Sequence, residues 1–294
     1  MVNVRIDGQQ LAAFAAVIEH GSFDAAATRL HVTPSAISQR IKALEQRVGQ
    51  VLVVREKPCS ATAAGVPLLR LAAQTALLEA EALAEIAGGT GGSPRITIAV
   101  NADSMATWFT EVFTELDDVL FDIRIEDQEH SARLLREGVA MGAVTTERKP
   151  VPGCRVLSLG VMRYLPVASP GYRDRYLPDG FTARAAAQAP SLAWNRDDAL
   201  QDMLVRKVFR KDIVRPQHFI PTAEGFGAAV LAGRGWGMYP EGLAAPHLED
   251  GSFVRITKAH LDVPLFWQRW KLDSPIVGRI TEAVRTAADL LRRR

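Results

Sequence analysis

Ser35, Ser38, Gln39, Arg40 and Lys42 crowd one short stretch that has no carboxylate before Glu45. Side chains of these types read and grip DNA: Gln and Arg pair with base edges in the major groove, while Ser and Lys hold phosphates. The segment around them predicts a helix from Pro34 to about Val48. Thr33 offers a hydroxyl cap, Pro34 suits the first helical position, and Ile37, Ile41, Leu44 and Val48 form an apolar stripe opposite the polar set. A solvated helix face is the other reading of such a surface, so the neighbouring elements must decide.

Upstream, a helix is predicted from about Asp7 to Glu19. Leu11, Phe14, Ala15 and Ile18 fall at i, i+3, i+4 and i+7 on one face. His20-Gly21 ends it, and Ser22 is placed to cap a shorter helix through Leu30 that buries Phe23, Ala26, Ala27 and Leu30. The tight turn His31-Val32-Thr33 then leads into the polar helix, and Arg29 beside that turn joins the DNA-facing set. After Gly49 comes the extended run Val51-Leu52-Val53-Val54, followed by Arg55-Glu56-Lys57-Pro58 and Ser60 to Gly65. That is the pattern of a small β wing whose basic tip, Arg55 and Lys57, follows a phosphate backbone. Residues 1–65 therefore read as a winged helix-turn-helix for double-stranded DNA.

A long helix is predicted from roughly Thr62 to Ile86, with an apolar seam of Leu69, Ala72, Ala76, Ala80 and Leu83 and with Leu71 and Leu78 beside it. So small a head cannot cover that surface. Pairing with a second copy is one solution, and packing on the downstream domain is the other. Gly88 to Pro94 (GGTGGSP) is a flexible hinge that closes a linker region of residues 66–94.

The composition fits an ordinary globular chain: hydrophobic residues make up 48% of the 294, enough for sizeable cores, and charged residues 23%, which argues against disorder. A formal charge of +2 does not discriminate, since a basic head is easily balanced by a near-neutral sensor. Cys59 and Cys154 stand alone, the histidines are scattered, and no zinc-ligand spacing occurs, so neither a metal nor a cofactor is expected. The first residues carry no apolar leader, and no apolar run reaches the ~20 residues of a membrane span. A cytoplasmic, reduced protein without membrane attachment is the expectation. An enzyme is disfavoured because no paired carboxylates, Ser/His/Asp order or phosphate-cradling loop stands out. Gly233-Arg234-Gly235-Trp236-Gly237 reads as a turn into a strand.

Beyond the hinge, short β-rich runs alternate with helical ones, which predicts an α/β domain. Arg95 to Val100 alternates as a strand and feeds Asn101-Ala102-Asp103-Ser104 into a helix. Strand ends of this kind are where open α/β sheets hold ligands, and the helix N–H groups there favour a carboxylate. Phe121–Glu126 and Val139–Thr145 are further strand candidates, with Ser131–Glu137 as a helix between them. Leu265 to Trp270 reads as a return strand and Pro275 to Leu291 as a final helix.

The string from Phe23 to Glu45, FDAAATRLHVTPSAISQRIKALE, resembles the signature of LysR-type transcriptional regulators. The long helix, hinge and α/β remainder follow the same plan along the whole chain. The wing departs in detail: Leu52-Val53 and Arg55-Glu56-Lys57 stand where the family has Leu-Phe and further basic residues. Asn101 to Phe109, His218 to Pro221, Gly235 to Pro240 and Trp267 to Trp270 are similar to the ArgP/LysG/IciA group. The resemblance implies a two-lobed, periplasmic-binding-protein-like (type II) sensor in residues 95–294. Lobe I would take about 95–163 and 265–294, and lobe II about 164–264. It also implies a homodimer or homotetramer that works with RNA polymerase, and lysine or arginine as effector controlling amino-acid export or metabolism. Inhibition of replication initiation, or an architectural role without effector response, is the alternative for the same DNA-binding half.

For an amino-acid effector, Ser104, Thr145 and Thr146 with helix N–H groups suit the carboxylate, and Asn101 belongs to the same effector-binding set. Asp103 and Glu224 suit the cationic end, and Trp194 and Asn195 the cleft wall. Asp103, Ser104 and Glu224 also fit the simpler role of helix caps and first-turn acids.

Overall fold

The computed structural model describes residues 5–86, 94–126 and 131–291. The hinge residues Gly88 to Ser93 lie outside the described residues.

Each helix of the head begins where a side chain satisfies its free N–H groups. Asp7 caps α1 (Gly8–His20) by accepting from the N–H groups of Gln9 and Gln10 at 2.9 and 3.1 Å. Ser22 caps α2 (Phe23–Arg29) through Ala25 N–H at 3.1 Å, and Thr33 caps α3 (Pro34–Val48) through Ala36 N–H at 3.2 Å. Phe14, Val17, Ala26, Ile37, Ile41, Leu44 and Leu52 form the core that fixes the three helices against each other. The wing is an antiparallel hairpin of β1 (Val53–Val54) and β2 (Ser60–Ala61).

The long helix α4 (Val66–Ile86) starts later than predicted. Thr62 takes the capping position, its hydroxyl accepting from Gly65 N–H at 3.2 Å, and it is also held by the wing: its N–H donates to Leu52 O at 2.9 Å and its hydroxyl to Val51 O at 2.7 Å. The helix then docks on the sensor, where Leu77 joins the main core. Leu71, Leu78, Leu83 and Ile86 remain exposed. Packing on the downstream domain thus covers one face of the helix, and the other is left uncovered in the single chain.

In the sensor, β3 (Arg95–Asn101) leads directly into the five-residue helix α5 (Ala102–Ala106) and a 3₁₀ turn (Phe109–Glu115). There follow β4 (Leu120–Glu126), α6 (Ser131–Arg136), β5 (Gly142–Thr145) and the long strand β6 (Cys154–Ala168). The predicted strand start at Val139 is too early. Gly138 turns the chain with φ +73°, and the Val139 and Ala140 N–H groups still bond back to Leu134 O.

Next come α7 (Pro170–Tyr176), α8 (Ala183–Gln188), β7 (Ser191–Ala193), α9 (Leu200–Phe209) and β8 (Gln217–Phe219). The second lobe is completed by α10 (Ala223–Leu231), β9 (Gly237–Pro240), α11 (Glu241–Glu249) and β10 (Val254–Arg255). The chain returns through β11 (Leu261–Trp270) and ends in α12 (Pro275–Ala287) and a 3₁₀ turn. β11 begins earlier than predicted because its antiparallel pairing with β6 extends from Leu261–Tyr164 to Trp270–Cys154, with one register shift, a bulge, at Leu265/Phe266.

These two long strands carry the chain between the lobes. On one side, β11 pairs with β5, and β3 lies parallel between β5 and β4. On the other, β6 continues past Tyr164 to pair with β9 and β10, while β7 pairs with β8 and touches Trp236. Leu165, Val167, Leu192, Phe226, Tyr239 and Phe253 form the lobe II core. The sensor is two-lobed, with the carboxyl ends of β3 and β5 facing the junction. Among the described residues, no helix is long and apolar enough to cross a membrane.

Candidate functional site

The DNA-facing set is laid out on one head. Arg29, Thr33, Pro34, Ser35, Gln39, Lys42, Arg55 and Lys57 are exposed, and Ser38 and Arg40 are half-buried. Thr33 uses its hydroxyl as a cap, which leaves that oxygen less available to a phosphate. Arg40 Nη2 donates to Gln9 Oε1 at 2.9 Å and so ties α3 to α1. Arg55 lies 5.1 Å from the centre of the Phe23 ring, a cation–π contact that steadies the wing on α2. Gln39 and Lys42 on α3 and Lys57 at the wing tip are exposed to solvent.

The second cluster lies where the lobes meet, and Asp103 is at its centre. Its Oδ2 accepts from the Tyr164 hydroxyl at 2.7 Å. Its pKa is raised to about 6 by burial first and by the Asp198 carboxylate last, against the Tyr164 hydrogen bond, which lowers it. Tyr164 is in turn held protonated, by burial and by the charges of Asp103 and Asp198, and its pKa is well above the usual phenol value. Asp103 also raises the pKa of Tyr239, after burial. On the same element, Ser104 is fully buried and Asn101 only 3% exposed. Neither Ser104 Oγ nor Asn101 Oδ1 has a hydrogen-bond partner among the described residues. Buried polar atoms left this way are uncommon and costly in a finished core. With only five residues, α5 offers little of the helix dipole that the sequence reading assigned to it.

The other predicted positions are less uniform. Thr145 is buried at the end of β5, and its hydroxyl accepts from Glu147 N–H at 3.1 Å, closing the local turn; Thr146 follows, half-buried. Asn195 Oδ1 accepts from Asp197 N–H at 2.8 Å, again a turn contact, and Trp194 N–H donates to Asp198 Oδ2 at 2.8 Å. Glu224 is exposed in the first turn of α10, a helix that lies against α5 across the junction. A separate cavity of about 500 Å³ opens beside Ser158, Gly160, Phe266 and Arg285, and none of the predicted residues lines it. The sequence reading missed Tyr164 and Asp198. The Asp197-Asp198 pair, one residue beyond Trp194-Asn195, was the available signal. Among the described residues, no group of His, Cys, Asp and Glu is placed to hold a metal.

A helix-turn-helix head joined by one long helix to a two-lobed sensor defines a DNA-binding transcriptional regulator. The chain belongs to the LysR family: residues 9–66 match the bacterial regulatory helix-turn-helix protein, lysR family, and residues 89–293 match the LysR substrate binding domain. It is similar to the HTH-type transcriptional regulator LysG of Mycobacterium tuberculosis, with 74% identity over all of this chain and 97% of that one. The lysine export transcriptional regulatory protein LysG of Corynebacterium glutamicum is 44% identical, covering 95% of this chain and 97% of its own. The solved full-length LysG of Corynebacterium glutamicum, with the effector Arg bound, matches with a TM-score of 0.81 at 41% identity, covering 98% of this chain and all of that one. The family is one of regulators, so the enzyme reading of the two-lobed half falls away.

Proposed function

We propose that this chain controls transcription in the cytoplasm in response to a basic amino acid, lysine or arginine, held between the two sensor lobes. The carrying observation is Asp103, a carboxylate closed into the lobe junction beside the unpartnered polar atoms of Asn101 and Ser104. Such a site stays costly until a ligand with a cation and several N–H donors enters it. The arginine bound in the similar full-length LysG supports the same class of ligand. In this reading Asp103 meets the effector's cation, while Asn101, Ser104, Thr145 and Thr146 meet its amino-acid end. Trp194 and Asn195 wall the cleft, and Glu224 stands at its mouth.

On the DNA side, α3 enters the major groove with Ser35, Ser38, Gln39, Arg40 and Lys42, while Arg29, Thr33 and Pro34 flank it and Arg55 and Lys57 carry the wing along the backbone. The exposed Leu71, Leu78, Leu83 and Ile86 on α4 support pairing of two copies, which would present two heads to two half-sites. A homotetramer and a contact with RNA polymerase extend the same scheme. The regulated genes are those of basic amino-acid export or metabolism, in line with the lysine-export regulator that this chain resembles.

The test is thermal unfolding of the full-length protein with lysine, arginine or norleucine. Lysine or arginine should raise the midpoint in a concentration-dependent way and norleucine should not. No shift with either basic amino acid at millimolar concentration would sink the reading.

A further inference from the structure

Arg40 follows Gln39 in sequence and was grouped with it for base edges, but the helix separates the two. At about 100° per residue, Ser35, Gln39, Lys42 and Gln46 fall within an arc of about 60° on α3, and each is exposed. The buried Ile37, Ile41 and Leu44 lie opposite. Arg40 sits about 100° beyond Gln39, on the flank between these faces, and is half-buried.

That flank faces α1. Arg40 Nη2 donates to Gln9 Oε1 at 2.9 Å. Arg47, about two turns later on the same flank, donates through Nη1 to Arg5 O just ahead of α1. Ala36 and Ala43 share the flank and bring no polar side chain to it. Gln9 is exposed in the first turn of α1, so its bond draws the Arg40 guanidinium out of the reading arc to the surface beside α1.

Phe14, Val17, Ile37, Ile41 and Leu44 already fix α1 against α3, so one exposed bond adds little to that hold. What it fixes is the guanidinium. Gln9 occupies a single donor of that group, and no other bond to it exists among the described residues. When a helix lies in the major groove, the middle of its outward arc meets base edges and its flanks meet the groove walls, which are phosphate. An arginine held in place beforehand loses less freedom on meeting such a wall than a mobile one. Asp7 is the acidic residue beside this flank in sequence. Its Oδ1 is engaged by the Gln9 and Gln10 N–H groups, and the exposed Arg5 and Arg47 stand against its charge.

We propose that Gln9 is a positioning residue that holds Arg40 for the DNA backbone, so that Arg40 anchors the head on phosphate and does not read sequence. Arg47 extends the same basic ridge. The proposal rests on the DNA-binding reading above and moves Arg40 within it from base edge to backbone.

Titration of the full-length protein at several salt concentrations tests it, with a duplex selected from a random library and an unselected duplex of equal length. Arg40→Gln should weaken both by the same factor, about fivefold to tenfold near 0.1 M salt, and lower the salt slope by about one. Gln39→Ala, on the outward arc, should instead weaken the selected duplex more. Arg40→Lys keeps the charge, so it should lose less and leave the slope unchanged, and it serves if Arg40→Gln is unstable. Gln9→Ala should weaken both duplexes about twofold to threefold at unchanged slope, and should add nothing to Arg40→Gln. Loss confined to the selected duplex in either Arg40 variant would make Arg40 a base reader and overturn the proposal. Full affinity for both duplexes in the Arg40 variants, or a Gln9→Ala loss that persists in the Arg40→Gln background, would overturn it as well. Wild-type protein that binds neither duplex would instead overturn the DNA-binding reading beneath it.

Discussion

Arg70 and Glu81, about three helical turns apart on α4, grip lobe I by opposite ends of two of its helices. Arg70 Nη1 donates to Pro152 O at 2.7 Å, and Nη2 reaches Leu135 O and Arg136 O at 3.4 Å, the carbonyl end of α6. Glu81 Oε1 accepts from Ser274 Oγ at 2.6 Å and from Ile276 N–H at 3.0 Å, at the amino end of α12. Each charge meets the helix end of opposite partial charge. Gly138 and Gly153, both with positive φ, come so close that a Cβ would lie 3.0 and 2.9 Å from Arg70 atoms, backbone in the first case and guanidinium in the second.

The head's long helix is therefore fastened to the sensor at two points. Arg70→Ala should cost about 1–3 kcal/mol, because the carbonyls of Pro152, Leu135 and Arg136 lose a charged donor. Glu81→Ala should cost about 1 kcal/mol for the lost cap. Denaturant unfolding of both variants checks the order. Equal stability of Arg70→Ala and wild type would remove the clamp.

The head offers a contrast between two exposed residues. Both are exposed, and in the proposed reading Gln39 on α3 reads base edges while Lys57 on the wing meets phosphate. Gln39→Ala should narrow the gap between operator and random DNA, by about 1–3 kcal/mol at the position it reads. Lys57→Ala should weaken both alike and lower the salt slope by about one. Titrations at several salt concentrations distinguish them, and the same loss of specificity in both would contradict these roles.

On α4, Leu78 is exposed, while Leu77 beside it is buried in the sensor core. Leu78→Arg should leave the fold of one copy intact and shift the dimer toward monomer, since a charge on an apolar seam has no partner there. Sedimentation as a function of concentration measures it. An unchanged dimer would mean that another surface joins the copies.

Asp103 gives the pH dependence. Its folded pKa, about 6, is above the ordinary value of 3.8, so the folded state holds an extra proton between those limits. The stability of the effector-free protein should fall as pH rises from about 4 to 6 through this group, and Asp103→Asn should remove that slope. Effector binding has the opposite sign, because a cation needs the ionised carboxylate. Affinity for arginine should drop about threefold to fourfold between pH 7.5 and 5.5. A flat profile would separate Asp103 from the effector.

The head was legible because its determinants are local. Ser22, Thr33 and Pro34 announce helix starts within a few residues, and the stripe Ile37, Ile41, Leu44 states which side is core. The β6–β11 pairing was only partly legible, since Leu261 to Pro264 become strand through a partner far along the chain. The lobe junction was the hardest to read. Asp103 and Ser104 follow a strand, which the rule for α/β sheets picks out. Tyr164 meets Asp103 only through the long strand β6, 61 residues further along the chain, and nothing local to either residue announces the pair. Thr62 was legible as a cap, which it is for Gly65 N–H, but its bonds to Val51 and Leu52 in the wing were not.

Footprinting of the full-length protein on a DNA site selected from a random library, with lysine, arginine or norleucine added, tests the central claim most directly. Lysine or arginine should change the affinity or the length of the protected region, and norleucine should change neither. Identical footprints and affinities with all three at saturating concentration would contradict a regulator that reads basic amino acids.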